Sequence, residues 1–242
     1  MKKIIFIFII LFTISSCNKN SRCLKSTGKM AEIEIKLDSV QEFKLYGGIV
    51  YKFYQDTLKK VSIKGGENVI SFIDVDSDNY ITSIHNKNSC NFLRDYDDKI
   101  IVEIHYPHYK TIYGEPTEPM TFVDTLVGDF TNIILRNGGE SLSLNAKMNH
   151  LVLNVSFGTG SINVNGKVNL LSLTTHNLGR INALGIESKE INIYQASNAD
   201  MLVNFKNSKV KVRFHGNGDV KYTGIPNELN ISGEGDGEVI SY

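Results

Sequence analysis

Apolar and polar residues alternate in short runs along most of the chain, and in the C-terminal half these runs recur at a fixed interval. From Leu142, matching apolar positions fall at Ile162, Ile181, Met201, Val220 and Val239, with spacings of 20, 19, 20, 19 and 19. A second series lies about ten residues behind: Leu151/Leu153, Leu171/Leu173, Ile191/Ile193, Val210/Val212 and Leu229/Ile231. Each member reads as a strand of period two, and turn formers such as Gly158-Thr159-Gly160 and Gly216-Asn217-Gly218 separate them. One such unit cannot bury its apolar face alone, but stacked units align equivalent side chains into inner ladders. The pattern therefore predicts an all-β fold, a parallel β-helix (solenoid) with 19–20-residue rungs. The coil is expected to be right-handed, as parallel crossovers are. No Leu-x-x-Leu-x-Leu string recurs, which excludes a leucine-rich horseshoe, while a β-sandwich remains the alternative for short strands with regular turns.

The N-terminal half alternates less regularly, in Ile33/Ile35/Leu37, Phe43/Leu45, Tyr51/Phe53, Val61/Ile63, Ile70/Phe72 and Ile100/Val102/Ile104. Asp74 to Asp78 and Asn86 to Asp98 read as polar connections. Terminal rungs depart from the repeat because they must close an open edge. No stretch has the composition of a linker, so residues 31–242 read as one domain.

The asparagines at 145, 154, 163, 165, 182, 192, 204 and 230 fit left-handed turns and rung-to-rung bonding. The 242 residues carry 26 Lys plus Arg against 26 Asp plus Glu, a balance that excludes nucleic acid as a partner class.

At the start of the chain Lys2 and Lys3 precede the apolar run Ile4–Phe12, too short to span a bilayer, and residues 1–16 read as a signal peptide. Ile14-Ser15-Ser16-Cys17 resembles the bacterial lipobox, which makes Cys17 the lipidated first residue of the mature protein and residues 17–30 a tether. Acylation is then the membrane contact, since losing Lys2 and Lys3 leaves 24 basic against 26 acidic residues. Export also permits a disulfide, and the remaining pair is Cys23 and Cys90. Closing that loop stabilises by ~4 kcal/mol in the chain-entropy account. Two free thiols are the alternative.

Little in the chain carries chemistry. Asp74-Val75-Asp76-Ser77-Asp78-Asn79 begins like a calcium loop, but Asn79 occupies the glycine position and His85 that of the bidentate Glu, so a solvated acidic turn is expected. His105-Tyr106-Pro107-His108 shows no neighbouring partner for a metal, and His85, His150, His176 and His215 fall in separate turns or strand ends. No Gly-rich turn opens a helix, and no Gly-x-Ser-x-Gly is present. Asp200, Asp219 and Glu238 recur at rung spacing as an exterior acidic column, read as a solubility feature. They are also the carboxylates that a polysaccharide lyase or glycosidase would need. The reading is non-catalytic, with no cofactor, metal or catalytic residue. Tyr51, Tyr54, Tyr106, Tyr109 and Tyr113 are candidate glycan contacts, with core packing expected for most of them.

Lys221-Tyr222-Thr223-Gly224-Ile225-Pro226 and Ile231-Ser232-Gly233-Glu234-Gly235-Asp236-Gly237-Glu238-Val239 resemble the closing elements of the putative autotransporter adhesin, head GIN domain family of Bacteroidetes-type envelope lipoproteins. Cys23-Leu24-Lys25-Ser26-Thr27-Gly28 and Cys90-Asn91-Phe92-Leu93-Arg94 resemble a subgroup holding both cysteines, which supports their pairing. The resemblance implies a right-handed β-helix in an envelope lipoprotein and brings no catalytic residues; the flat faces of an extended strand stack suit a glycan or protein partner better than a small buried ligand. His176-Asn177-Leu178-Gly179 departs from the family's Ser-Gly-Ala-type turns, so a binding surface there would be peculiar to this chain. Asn18-Lys19-Asn20-Ser21-Arg22 lacks the acidic run associated with surface export, which favours the periplasmic face of the outer membrane.

Overall fold

The computed structural model describes residues 26–89 and 99–242, so Cys17, Cys23 and Cys90, with the acylation and the disulfide expected of them, lie outside the described residues. The chain enters through residues 26–29, held by the Glu67 and Asn68 amides donating to the carbonyls of Lys29 and Thr27. There follow β1 (Met30–Lys36), β2 (Glu42–Tyr46), β3 (Val50–Tyr54), β4 (Lys60–Gly66), the single-turn α1 (Glu67–Ile70), β5 (Ile73–Asp78), β6 (Ile81–Asn86), β7 (Ile101–His105), β8 (Thr111–Glu115) and β9 (Met120–Phe122). Four long strands come next: β10 (Leu126–Arg136), β11 (Ser141–Ser156), β12 (Ser161–Asn177) and β13 (Arg180–Ser197). The chain closes with β14 (Met201–Asn204), β15 (Lys209–Phe214), β16 (Val220–Thr223), β17 (Glu228–Gly233) and β18 (Val239–Ser241). Together they wind a β-solenoid of about 7 turns.

Both sequence ladders are physical ladders. Leu142 pairs with Ile162 and Ile162 with Ile181, while Met201 pairs with Val220 and Val220 with Val239. On the other face Leu153, Leu173, Ile193, Val212 and Ile231 follow one another in parallel register. The change of period has a local cause. Ile162 to Ile181 spans 19 residues but Leu171 to Ile191 spans 20, and a register shift between the pairs Asn163↔Asn182 and Asn165↔Gly185 absorbs the extra residue.

The N-terminal rungs are stacked out of sequence order. β2 lies between β6 and β8, and β3 between β7 and β9, so the rung made first by the chain sits inside one made later. Beyond this outer rung the strands reverse: β4 runs antiparallel on β7, β1 on β4, and β5 on β6. Two sequence expectations are corrected here. Asp74 to Asp78 is the capping strand β5 rather than a connection; among the described residues it pairs only with β6, Asp76 and Asp78 are exposed, and no buried alternation marks it. Ile70 ends the helical turn α1 rather than alternating in a strand. Asn79 and Tyr80, with φ of 48° and 65°, then close the β5–β6 hairpin as a primed turn.

The core changes character along the axis. Near the N-terminal end Phe43, Phe53, Tyr106, Tyr109 and Phe122 form an edge-to-face and stacked cluster with centroids 4.6–6.2 Å apart. The Val40 amide donates to Tyr106 Oη at 2.6 Å, and Tyr109 Oη lies 2.7 Å from the Ile104 carbonyl, so both phenols are satisfied in the interior. From β11 onward the ladders are mainly aliphatic, each fully buried side chain contributing about 1.5–3 kcal/mol, with Phe205, stacked on Tyr222 at 4.6 Å, and Phe214 as the buried rings of the last rungs.

Candidate functional site

The face built from β6, β2, β8, the C-terminal parts of β10–β13, and β15 carries a stripe of rings on its exterior. His85 lies on Tyr46, centroids 4.2 Å apart and planes 9° from parallel, and Tyr46 is 6.1 Å from Tyr113. Further along the axis the Arg136 guanidinium stands 4.6 Å over Phe157. Phe157 is parallel to His176 at 6.4 Å, His176 is 5.7 Å from Tyr194, and Tyr194 is 6.3 Å from His215. At 6.4 Å two parallel rings overlap little, so His176 leaves much of Phe157 uncovered, and Phe157 is 51% exposed.

Phe157 is also conformationally out of place. The rung turns put residues 137, 157 and 177 in the left-handed region, with φ of 54°, 53° and 57°. Asparagine, which tolerates that region, fills the first and third; an aromatic fills the second at a conformational cost of about 1–2 kcal/mol. Strain at an exposed ring points to a use for that ring.

Beside the stripe a shallow groove of about 300 Å³ is lined by Thr174, Asn192, Tyr194, Lys211, Arg213 and Ser232. Register places Thr174, Tyr194, Arg213 and Ser232 in one outward column and Asn192 and Lys211 in the next. Burial, and then the nearby His215, push the His176 imidazole below its ordinary value, so it is uncharged at neutral pH. Burial first, and then the Glu115 carboxylate that accepts from its hydroxyl at 2.5 Å, push Tyr113 up to about 12. The surface thus offers uncharged donors and acceptors, exposed ring area and a few cations, a set suited to hydroxyl-rich polymers.

The structure sorts the sequence candidates. Tyr51, Tyr106 and Tyr109 are buried, and only Tyr54 and Tyr113 reach the surface. His85, His176 and His215, expected in separate places, are gathered on one face, where rung stacking aligns turn residues far apart in sequence. His105 has a carboxylate partner that local sequence could not show: Asp56 Oδ2 is 2.7 Å from its Nδ1. The calcium-like run holds no metal cluster, and none is found among the described residues. Among the described residues the left-handed asparagines are Asn79, Asn137, Asn177 and Asn207, and Asn169 donates to Asn149 of the next rung at 2.9 Å; none of these six is among the asparagines expected for those roles, all of which lie within strands.

The acidic column does structural work. The Asp219 amide donates to Asp200 Oδ1 and the Glu238 amide to Asp219 Oδ1, each at 3.1 Å, so each carboxylate holds the backbone of the next rung. Lys221 Nζ lies 2.6 Å from Asp200, and this contact holds the Asp200 carboxyl below its usual range, opposite to what a general acid requires.

A β-solenoid closed at one end and bearing an exterior ring stripe defines the class of protein. The chain belongs to the family described as putative auto-transporter adhesin, head GIN domain, whose model matches residues 40–226. Its fold is similar to that of a putative adhesin from Bacteroides fragilis, at 17% identity and a TM-score of 0.76, covering 88% of this chain and 97% of that one. A putative adhesin from Parabacteroides merdae matches at 19% identity and a TM-score of 0.65, covering 90% and 98%. A putative lipid binding protein from Parabacteroides distasonis matches at 17% identity and a TM-score of 0.64, with the same coverage. None of the curated proteins matches the chain. Among the described residues no helix is long and apolar enough to cross a membrane.

Proposed function

We propose that the protein is a lipid-anchored, non-catalytic envelope scaffold that binds a polysaccharide chain along the ringed face of its solenoid. The observation that carries this reading is Phe157, an exposed aromatic in the left-handed turn position that adjacent rungs give to asparagine. A polymer laid along the axis meets equivalent positions at each rung, ~4.8 Å apart, so many weak contacts add along its length. Rings contact the apolar faces of sugars, while Asn192, Lys211 and Arg213 meet hydroxyl and acidic substituents. The family description supports an adhesin-like role over an enzymatic one. Acylation at Cys17 supplies the membrane attachment on this reading, and the periplasmic leaflet of the outer membrane is its location; retention of a Cys17→Ser protein in the membrane fraction with unchanged mass counts against the anchor.

The test is binding of the full chain to purified envelope polysaccharides on a glycan array, followed by titration calorimetry on the best responder. Phe157→Asn is expected to abolish or sharply weaken binding while raising stability by roughly 0.5–1 kcal/mol through relief of the turn. Unchanged binding by Phe157→Asn and by Tyr194→Ala refutes this face as the site.

A further inference from the structure

The last rung repeats the pattern of those beneath it but leaves its interior positions uncovered. In the ladder Leu153, Leu173, Ile193, Val212, Ile231 the first four members are at most 4% exposed and the fifth is 56% exposed. Leu229 and Val239 are likewise only partly buried, where Val210 and Val220 beneath them are at most 1% exposed. Among the described residues β17 pairs only with β15 and β18 only with β16, so the outer backbone edge of each is free. An open parallel edge with apolar side chains is a template for another strand.

Charge selects the kind of strand. Residues 228–242 contain Glu228, Glu234, Asp236 and Glu238 and no Lys or Arg, which disfavours a second copy meeting this edge through its own. The molecule also shows the complement that β17 accepts on its inner side. β15, Lys209-Val210-Lys211-Val212-Arg213-Phe214, alternates exposed cations with buried apolar residues and sets Lys209 opposite Glu228, Val210 opposite Leu229 and Val212 opposite Ile231. We infer that the C-terminal edge of the solenoid is a docking site for an extended segment of a partner protein that alternates basic and apolar residues. Its apolar side chains cover Leu229 and Ile231, and its cations lie toward Glu228 and the acidic turn at 234–238. This edge adjoins the groove of the ringed face at Ser232, but Glu228, Leu229 and Ile231, the positions it uses, do not line that groove, and its occupation does not depend on glycan binding.

The probe is a labelled, end-capped peptide of sequence Lys-Val-Lys-Val-Arg-Phe, titrated onto the full chain by fluorescence anisotropy at low and high ionic strength. Binding that weakens with salt, and weakens about tenfold in Ile231→Lys and in Glu228→Lys, supports the inference. Both positions are exposed, so circular dichroism is expected to show intact folding, and Phe157→Asn is expected to leave peptide binding unchanged. Absence of peptide binding overturns the inference, as does equal binding of a Glu-Val-Glu-Val-Glu-Phe control or wild-type affinity in both edge variants. A dimer of the free protein that Ile231→Lys dissociates in sedimentation overturns it in favour of a second copy as the occupant.

Discussion

At its N-terminal end the solenoid is closed by strands that reverse direction, β4 on β7 and β5 on β6, whereas at its C-terminal end β17 and β18 continue the parallel pattern and, among the described residues, no strand covers them. The closed end is held by a connected cluster of five rings with satisfied phenols, the open end by mainly aliphatic ladders, with Phe205 and Phe214 buried among them, whose final members face water. Closing an end requires the chain to leave the repeat: it lays down β2 and β3, travels outward to build the cap, and returns past them to β8. An edge that keeps the repeat stays available to another strand. Position along the axis therefore decides what the same type of residue contributes.

The largest effect is expected where the closed end depends on one ring. Phe53 is fully buried, stacked on Phe122 at 4.6 Å and edge-on to Tyr109 at 5.7 Å. Phe53→Ala is expected to cost about 3–5 kcal/mol in denaturant unfolding. Ile231→Ala, at the equivalent interior position of the open end, is expected to change stability by no more than about 0.5 kcal/mol. Equal losses at the two sites break the comparison.

Glycines sharpen it further. Gly166 has φ of 118°, and a Cβ there would lie 2.0 Å from the Ala146 carbonyl oxygen; Gly233 has φ of 110° and would place a Cβ 2.0 Å from that of Phe214. The local clash is the same, but Gly166 is held between β11 and β13, while Gly233 has, among the described residues, a rung on one side only. Gly166→Ala is expected to cost about 2–3 kcal/mol, near the upper end for a strained backbone position, and Gly233→Ala about half of that. Thermal unfolding of the two variants decides the point, and an equal cost means that the last rung is as rigid as the interior.

The same contrast explains what could be read from the chain. From residue 142 onward each rung pairs with its sequence neighbour, so spacing alone assigned Leu151, Leu171, Ile191, Val210 and Leu229 to one ladder. In the N-terminal half the strands at Phe43/Leu45, Tyr51/Phe53 and Ile100/Val102/Ile104 were legible, but their order was not, because β2 pairs with β6 and β8 across intervening elements. β5 was hidden because an edge strand bears no buried alternation. The ringed face was largely illegible: Tyr46, Arg136, Phe157, His176 and Tyr194 meet only through rung stacking, and no local motif joins them. One signal was available, since Phe157 falls 20 residues after Asn137 and 20 before Asn177 and breaks a series of asparagines.

The smallest expected effect concerns the acidic column near the open end. Asp200 accepts the Asp219 amide and meets Lys221, and its carboxyl lies below its ordinary value, first because of that lysine. A carboxyl depressed in the folded state contributes stability that is fully present above its unfolded value of about 3.9 and is lost as pH falls through the lower folded value. Asp200→Asn keeps an oxygen for the Asp219 amide and removes only the charge. The pair is partly exposed, so the difference from wild type is expected to be small at neutral pH and reduced by salt. It is expected to stay constant down to about pH 5 and to shrink below about pH 4. A difference that widens on acidification shows that this carboxylate does not hold the next rung through its charge, and that the column adds nothing electrostatic to the open end.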